Sequence, residues 1–494
     1  MNRQSINTPT FLWHDYETFG ISAKLDRPAQ FAAIRTDAEL NEIGEPLVWY
    51  CRPTPDYLPD PESCLITGIT PQLCLERGLP EPDFATRIET ELARPGTIGV
   101  GYNTIRFDDE FTRHLFWRNL IDPYAREWQN GCGRWDILDV VRLAHALRPD
   151  GIVWPTKPDG RTSFKLEDLT RANGIAHEAA HDALCDVRAT IALARLLRDK
   201  QPKLFEFAFE LHKKDRVLAE MGLPALPAHA KPFLHVSGHL VPERGCLAIM
   251  WPLASHPSNK NEVLAWDLTY DPAILLELNA AQIRERLFTR SADLPEGVHR
   301  LPIKGIHINK SPMVVGQLKT LRPEMAQRWG LDVELALRHA AIARDLPDMS
   351  AIWRAVYQPE PPVPGAPATP AEQDLYGAFV GPEDRRRLQQ LKGEDPTDPI
   401  WARMGFDDPR LTELVFLYRA RHFPATLSPE EQTRWQEHCT ARLVQGQGGA
   451  LTLERLFERI DTLAEAASER GDERAEAILG ALYDYAEAVA PDVA

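Results

Sequence analysis

The sequence predicts an α/β chain: a mixed sheet with helices packed on it, then a smaller, mostly β domain with appended helices, then a helical C-terminal domain. Three observations predict it. Strand-like and helix-like runs alternate through residues 1–201; after Gln201-Pro202, strand-like runs separated by turn-rich segments take over; and beyond a proline-rich stretch the pattern is helical to the end. A chain of 494 residues exceeds what one core usually holds, so two or three domains are expected.

In the first part, strands are expected at residues 10–15, 31–36, 47–51 and 97–102, and helices at 70–77, 83–93, 108–119, 136–147, 166–173 and 181–198. Three short strands in succession, a helical interval and a return strand imply a mixed sheet. The middle part offers strands at 233–237, 246–253, 263–268 and 301–308, with helices at 280–288 and 332–344. Prolines 359, 361, 362, 364, 367 and 370 exclude a helix or a central strand, so this stretch reads as an extended linker. Helices are expected after it at 411–421, 429–439, 451–468 and 472–489. The domains so divided are 1–201, 202–357, a linker at 358–371, and 372–494.

Composition narrows the function classes. No stretch of eighteen apolar residues and no basic-then-hydrophobic leader occurs, which predicts a soluble, cytoplasmic protein with no membrane association. Seven scattered cysteines without C-x-x-C spacing support neither a disulfide framework nor a zinc site. A formal net charge of -16 argues against coating nucleic acid by bulk electrostatics but leaves room for a local basic groove.

The chemistry-bearing residues begin with Phe11-Leu12-Trp13-His14-Asp15-Tyr16-Glu17, an apolar run ending in two carboxylates. On a strand, residues i and i+2 share a face, so Asp15 and Glu17 project into one small volume. Two adjacent anions repel unless neutralised, and hard oxygen donors suit Mg²⁺ or Mn²⁺. Asp108 follows Gly101-Tyr102-Asn103-Thr104-Ile105-Arg106-Phe107 where a strand hands over to a helix; it is either a ligand or, with Asp109, a helix cap. His181 and Asp186 stand five apart, about 140° on a helix, so they work together only if His181 lies in the loop before it. A lone histidine there also reads as a solvated or capping group.

Taken in order, D-x-E, N-x-x-x-F-D and H-x-x-x-x-D resemble the DEDDh branch of the DnaQ-like 3′→5′ exonucleases, with Asp15, Glu17, Asp108, His181 and Asp186 on the motif positions. The resemblance implies an RNase H-like exonuclease domain and phosphodiester hydrolysis assisted by two metal ions. It implies that Asp15, Glu17, Asp108 and Asp186 hold the ions, that Glu17 also touches the terminal 3′ hydroxyl, and that His181 takes the proton of the attacking water. Further segments are similar to the bacterial exodeoxyribonuclease I family: Asp15–Gly20, residues 25–37, 65–71 and 134–140, His235-Val236-Ser237-Gly238, His307-Ile308-Asn309-Lys310 and residues 320–324. That resemblance implies an SH3-like middle domain, a helical C-terminal domain and processive release of 5′-mononucleotides from single-stranded DNA.

Single-strand binding calls for aromatic platforms and cations along a groove. Matching family contact positions are Arg113, Tyr124, Trp128 and Arg142, Phe164 follows them in the same aromatic and basic run, and Lys165 stands where relatives can carry arginine; Lys310 and Tyr376 are nominated from the later domains. Ordinary packing competes for such aromatics, and Phe116 reads as core. The family is recruited by the acidic, apolar-ended tail of single-stranded-DNA-binding protein, for which Arg148, Lys231, Gln317, Arg322 and Arg344 occupy comparable places. A monomer is expected. An RNA-trimming or proofreading relative and a non-catalytic single-strand-binding scaffold are the rival readings; the added domains count against the first, the intact motif residues against the second.

Overall fold

The structure is a computed structural model that describes residues 9–177, 182–223, 229–359, 365 and 368–491. It forms two compact units, one of Met1–Gly133, Glu178–Arg188 and Pro367–Ala494, the other of Arg134–His177 and Ala189–Ala366. No helix among the described residues is long and apolar enough to cross a membrane.

The first unit is built on β1 (Thr10–Thr18), β2 (Pro28–Thr36), β3 (Leu47–Tyr50) and β4 (Thr97–Gly101). Its sheet order is β3-β2-β1-β4; β5 is Gly133–Asp136. β1 is antiparallel to β2 and parallel to β4, so the sheet is mixed as the order of runs predicts. Leu12 and Trp13 of this central strand are fully buried. β4 pairs with β1 only from Thr10 to Trp13, whereas β2 follows it to Thr18. The carboxylate end of β1 therefore extends beyond its β4 neighbour while β2 still supports it. The sequence-based strand stops at Asp15 because charge reads as a terminus; pairing of Tyr16 with Phe31 and Glu17 with Gln30 carries the real one further.

Helices of the C-terminal segment belong to this unit. Leu456 and Ile460 of helix Leu453–Arg470 and Leu479 and Leu482 of helix Glu473–Val489 share a core with Phe19, Ala29, Cys64 and Cys74. Leu411 and Leu414 do the same with Trp117 and Leu120. The acidic residues of the last two helices thus sit opposite a buried stripe.

Between these elements lies a buried ionic network. Arg421 Nη2 donates to Asp56 Oδ2 at 2.6 Å and to Glu372 Oε2 at 2.7 Å, Arg27 Nη2 reaches Glu372 at 3.2 Å, and Arg442 donates to Glu372 and to the Asp56 carbonyl. Burial alone would raise Glu372, but Arg421, Arg442 and Arg27 outweigh it and hold its carboxyl well below the usual range. Asp56 is held down in the same way by Arg421, His438 and Arg442.

The second unit carries an antiparallel sheet in the order β10-β6-β7-β8-β9, formed by β6 (Phe233–Val236), β7 (Leu247–Ser255), β8 (Glu262–Asp267), β9 (Ile303–His307) and β10 (Met313–Val315). Helix Ile137–Leu147 lies in this unit, and Trp329 Nε1 donates to its Ala146 carbonyl at 2.9 Å. Helices Pro202–Glu210, Lys214–Met221, Pro323–Arg328 and Ser350–Val356 were not anticipated.

Removing the anion that three guanidinium groups share should be costly. Glu372→Ala is expected to lose roughly 3–5 kcal/mol, read as a lower urea midpoint. Because the folded Glu372 and Asp56 bind protons less tightly than the unfolded chain, their contribution is complete above the ordinary carboxylate range and is lost as pH falls through it. The native midpoint should drop on acidification below about pH 4, and Glu372→Ala should blunt that slope.

Candidate active site

Asp15 and Glu17 leave β1 on one face, as the strand period requires, and Asp186 approaches them from the first turn of helix Ala183–Lys200. One carboxylate oxygen from each lies within 4.8 Å of the others. Glu17 is buried and its two companions partly so. His14, which precedes Asp15 on the strand, turns to the other side, where its Nδ1 lies 3.2 Å from the Leu12 carbonyl and burial lowers its pKa to about 4.

Asp108 arrives through a tight turn. A side chain at Gly101 would lie 1.8 Å from Thr104 Oγ1 and 2.8 Å from the His14 carbonyl, and Asn103 takes a left-handed φ of 66°. Helix Asp108–Arg118 has no side-chain cap at Phe107. Instead Asp108 Oδ1 accepts the Tyr16 backbone N–H at 3.0 Å, and Asp109 takes Arg126 Nη2 at 2.6 Å. Asp108 therefore stands behind the three-carboxylate group, tied to the strand residue between Asp15 and Glu17. His181 lies outside the described residues.

Crowding these acids raises their proton affinity. Burial, then the charges of Asp108, Glu17, Asp186 and Asp182, push Asp15 well above the carboxylate range, and burial with Asp186 and Asp182 pushes Glu17 up to about 8. Asp182, the second residue of the H-x-x-x-x-D motif, was overlooked in sequence; it also accepts the Cys185 N–H at 3.0 Å at the start of the helix. Such a group is stable when protons or a cation neutralise it, and three hard oxygen donors at this spacing fit a divalent ion.

In the same unit, three residues nominated for the strand form one cluster. Arg113 Nε and Nη2 donate to Glu127 at 2.7 and 2.9 Å, and its Nη1 donates to Glu110 at 2.9 Å and the Tyr376 hydroxyl at 3.1 Å. Four of its five N–H donors are thus engaged within the protein, and its guanidinium lies 5.4 Å from the Tyr124 ring. The Tyr376 hydroxyl also donates to Glu110, leaving its ring exposed. Trp128 is 68% exposed, whereas Phe116 is wholly buried, so the packing reading holds for Phe116. Glu110 and Glu127 were missed because an acid near a DNA site reads as ordinary helix charge.

The second unit holds the remaining nominees. Arg142 Nη1 donates to Asp139 at 2.8 Å and its guanidinium lies 5.9 Å from the Phe164 ring; a Cβ on Gly238 would come within 2.7 Å of that guanidinium. Lys165 is exposed and donates to Glu167 at 3.2 Å. Lys310 follows β9, its N–H donating to the His307 carbonyl at 3.1 Å. Arg148 and Gln317 line one cavity with Leu143, Leu147, Phe207 and Arg216. A side chain at Gly316 would lie 2.9 Å from Lys231 Nζ. Arg322 is 3.7 Å from Asp150, and Arg344 lines a different groove beside Trp251 and Trp353.

Comparison with known proteins is consistent along the chain. Residues 12–194 match the Exonuclease family, 212–359 the Exonuclease I SH3-like domain and 369–489 the Exonuclease I C-terminal domain. Exodeoxyribonuclease I of Escherichia coli (strain K12) is 44% identical over 481 residues, 97% of this chain and 98% of that one. Among solved structures, a moderately thermophilic Exonuclease I from Methylocaldum szegediense aligns with a TM-score of 0.90 at 46% identity, covering 97% of this chain and 99% of that one. E. coli Exonuclease I in complex with a dA16 oligonucleotide aligns at 0.88 and 44%, covering 98% and 100%. An SSB/Exonuclease I structure with the inhibitor CFAM aligns at 0.87 and 41%, covering 98% and 100%. With all three of its domain types and nearly the whole length of its relatives matched, the chain belongs to the exodeoxyribonuclease I family.

Proposed function

We propose that the chain removes 5′-mononucleotides processively from the 3′ end of single-stranded DNA, using the cluster of Asp15, Glu17 and Asp186 as its metal-holding centre. The observation that carries this reading is the convergence of those three carboxylates within 4.8 Å in a chain of this family. Asp15, Glu17 and Asp186, with Asp108 behind them, would hold two Mg²⁺ ions, or Mn²⁺ in their place. Bound there, the ions supply charge neutralisation for the entering and leaving oxygens.

The chain's own groups do the rest. His181 takes a proton from the attacking water, whose oxygen bonds to phosphorus as the bond to the 3′ oxygen of the preceding nucleotide breaks. Glu17 and Lys165 hold the terminal nucleotide. Arg113, Tyr124, Trp128, Arg142, Phe164, Lys310 and Tyr376 guide the strand, the rings stacking on bases and the cations meeting phosphates. Every residue assigned comes from one chain, so a monomer suffices.

The cavity beside Arg148 and Gln317 fits the acidic, apolar-ended tail of single-stranded-DNA-binding protein: leucines and Phe207 receive the apolar end, while Arg148, Lys203 and Arg216 face the charge. The SSB/Exonuclease I structure supports this use. Lys231 and Arg322 would extend the basic surroundings of the tail, whereas Arg344 lines a different groove.

Incubation with Mg²⁺ and labelled single-stranded DNA, duplex DNA and RNA should release mononucleotide from the single-stranded DNA alone, with none from Asp15→Ala. Equal degradation of RNA refutes the substrate. His181→Ala is expected to keep DNA binding while turnover falls by roughly two to four orders of magnitude; unchanged turnover removes it from the mechanism.

The carboxylate cluster also predicts a linkage. Without metal, Glu17 titrates near 8 against an ordinary 4.5, so the folded state holds that proton more tightly than the unfolded chain. Its stabilising effect is full below about pH 4.5 and is lost as pH rises through about 8. A divalent cation takes over the proton's role, so Mg²⁺ should raise the melting temperature more at about pH 8 than at about pH 5. A pH-independent increment would contradict the assignment.

A further inference from the structure

Helix Pro382–Lys392 carries Arg385, Leu388, Gln389 and Lys392 at the i, i+3, i+4, i+7 spacing of one helical face. All four line a cavity of about 330 Å³ in the first unit, together with Trp117, Tyr124 and Phe379. Phe379 is 82% exposed. A single exposed ring is ordinary on a protein surface. This one, however, meets an ordered neighbour: its centroid lies 6.0 Å from that of Tyr124, edge to face at 60°. Tyr124 is in turn backed by Arg113, which donates two hydrogen bonds to the Glu127 carboxylate. The shelf is rigid behind and open in front.

The charges lining the shelf are the cations Arg385 and Lys392 and the anions Glu89 and Asp122. Arg385 and Lys392 make no ion pair and no side-chain hydrogen bond among the described residues. The anions facing Lys392 are Glu89 and Asp122, and Asp122 is already engaged by the N–H groups of Tyr124 and Ala125 at 2.9 and 3.1 Å. Arg385, a cation outside any ion pair among the described residues, beside an open aromatic face suits a polyanion whose units carry π-faces, which is single-stranded nucleic acid.

We propose that Phe379, with Tyr124, forms a base-stacking subsite for the substrate strand, and that Arg385 takes a neighbouring phosphate. The inference rests on the reading of Tyr124 as a strand contact. It adds a second ring to the loop before helix Pro382–Lys392, three residues beyond the nominated Tyr376.

Phe379→Ala should raise KM for a long oligodeoxynucleotide about tenfold, the effect of one lost stack. Phe379→Trp should restore it. A trinucleotide, held mainly at the carboxylate centre, should show a smaller rise. Arg385→Ala should reduce the slope of log Kd against log salt by about 0.7, the share of one phosphate on a single strand. If Tyr124→Ala weakens binding and Phe379→Ala does not, the subsite is overturned and the reading of Tyr124 stands; if neither does, both fall. An equal KM rise for trinucleotide and long strand, or self-association lost in Phe379→Ala with DNA affinity intact, also overturns it.

Discussion

Like-charge repulsion at the end of β1 is the constraint to which the rest of the molecule answers. Asp15, Glu17 and Asp186 come from two distant stretches of chain, and Asp108 is anchored to the same strand from a third. Holding them together requires a strand that cannot move. β1 meets that need by being central, buried on its apolar residues and paired along its whole length with β2, while the end of β4 at Gly101 leaves the carboxylates an open side. Nothing in folding favours such a cluster for its own sake, since burial and mutual repulsion both raise the proton affinity of its members. A site that is electrostatically uncomfortable when empty is one prepared for a cation.

The ionic network around Glu372 shows the same physics with the opposite outcome. Glu372 and Asp56 are as deeply buried as Glu17, yet neighbouring guanidinium groups hold them ionised. The contrast distinguishes a carboxylate cluster awaiting a partner from one already partnered. It also bears on the net charge of -16. Arg113 and Arg142 are each tethered by acids, so the carboxylates beside them serve to orient local cations and do not simply cancel them. Overall acidity and a polyanionic substrate are therefore compatible.

What could be read in the sequence follows from range. Asp15 and Glu17 were legible because a period of two is strictly local, and Asp108 because glycine and asparagine announce the turn before it. The main strands and the longer helices were legible for the same reason. β5 and β10, of four and three residues, were not read; β5 carries charge at Arg134 and Asp136, and β10 is shorter than the alternation needs. Helix Pro61–Thr67 was missed although proline marks its first turn and Asp60 caps it. The pairing of Arg421 with Asp56 spans 365 residues and leaves no local trace. Asp182 was hidden differently: a conspicuous histidine and aspartate flank it, and attention goes to them. His181 was assigned by resemblance alone and lies outside the described residues.

The split ionic network has a consequence for how the chain is made. Arg27, Asp56 and Glu81 emerge early from the ribosome, while Glu372, Arg421 and Arg442 emerge near the end. At a synthesis rate of about 5–20 residues per second, the interval between residues 81 and 442 is roughly twenty to seventy seconds. Through that time Arg27 and Arg118 have Glu81, but Asp56 has none of its buried guanidinium partners, and sealing the first unit would strand it. Vectorial synthesis thus delays closure of the nuclease until its last segment arrives, and a chain halted by premature termination is left without the groups that neutralise its interior.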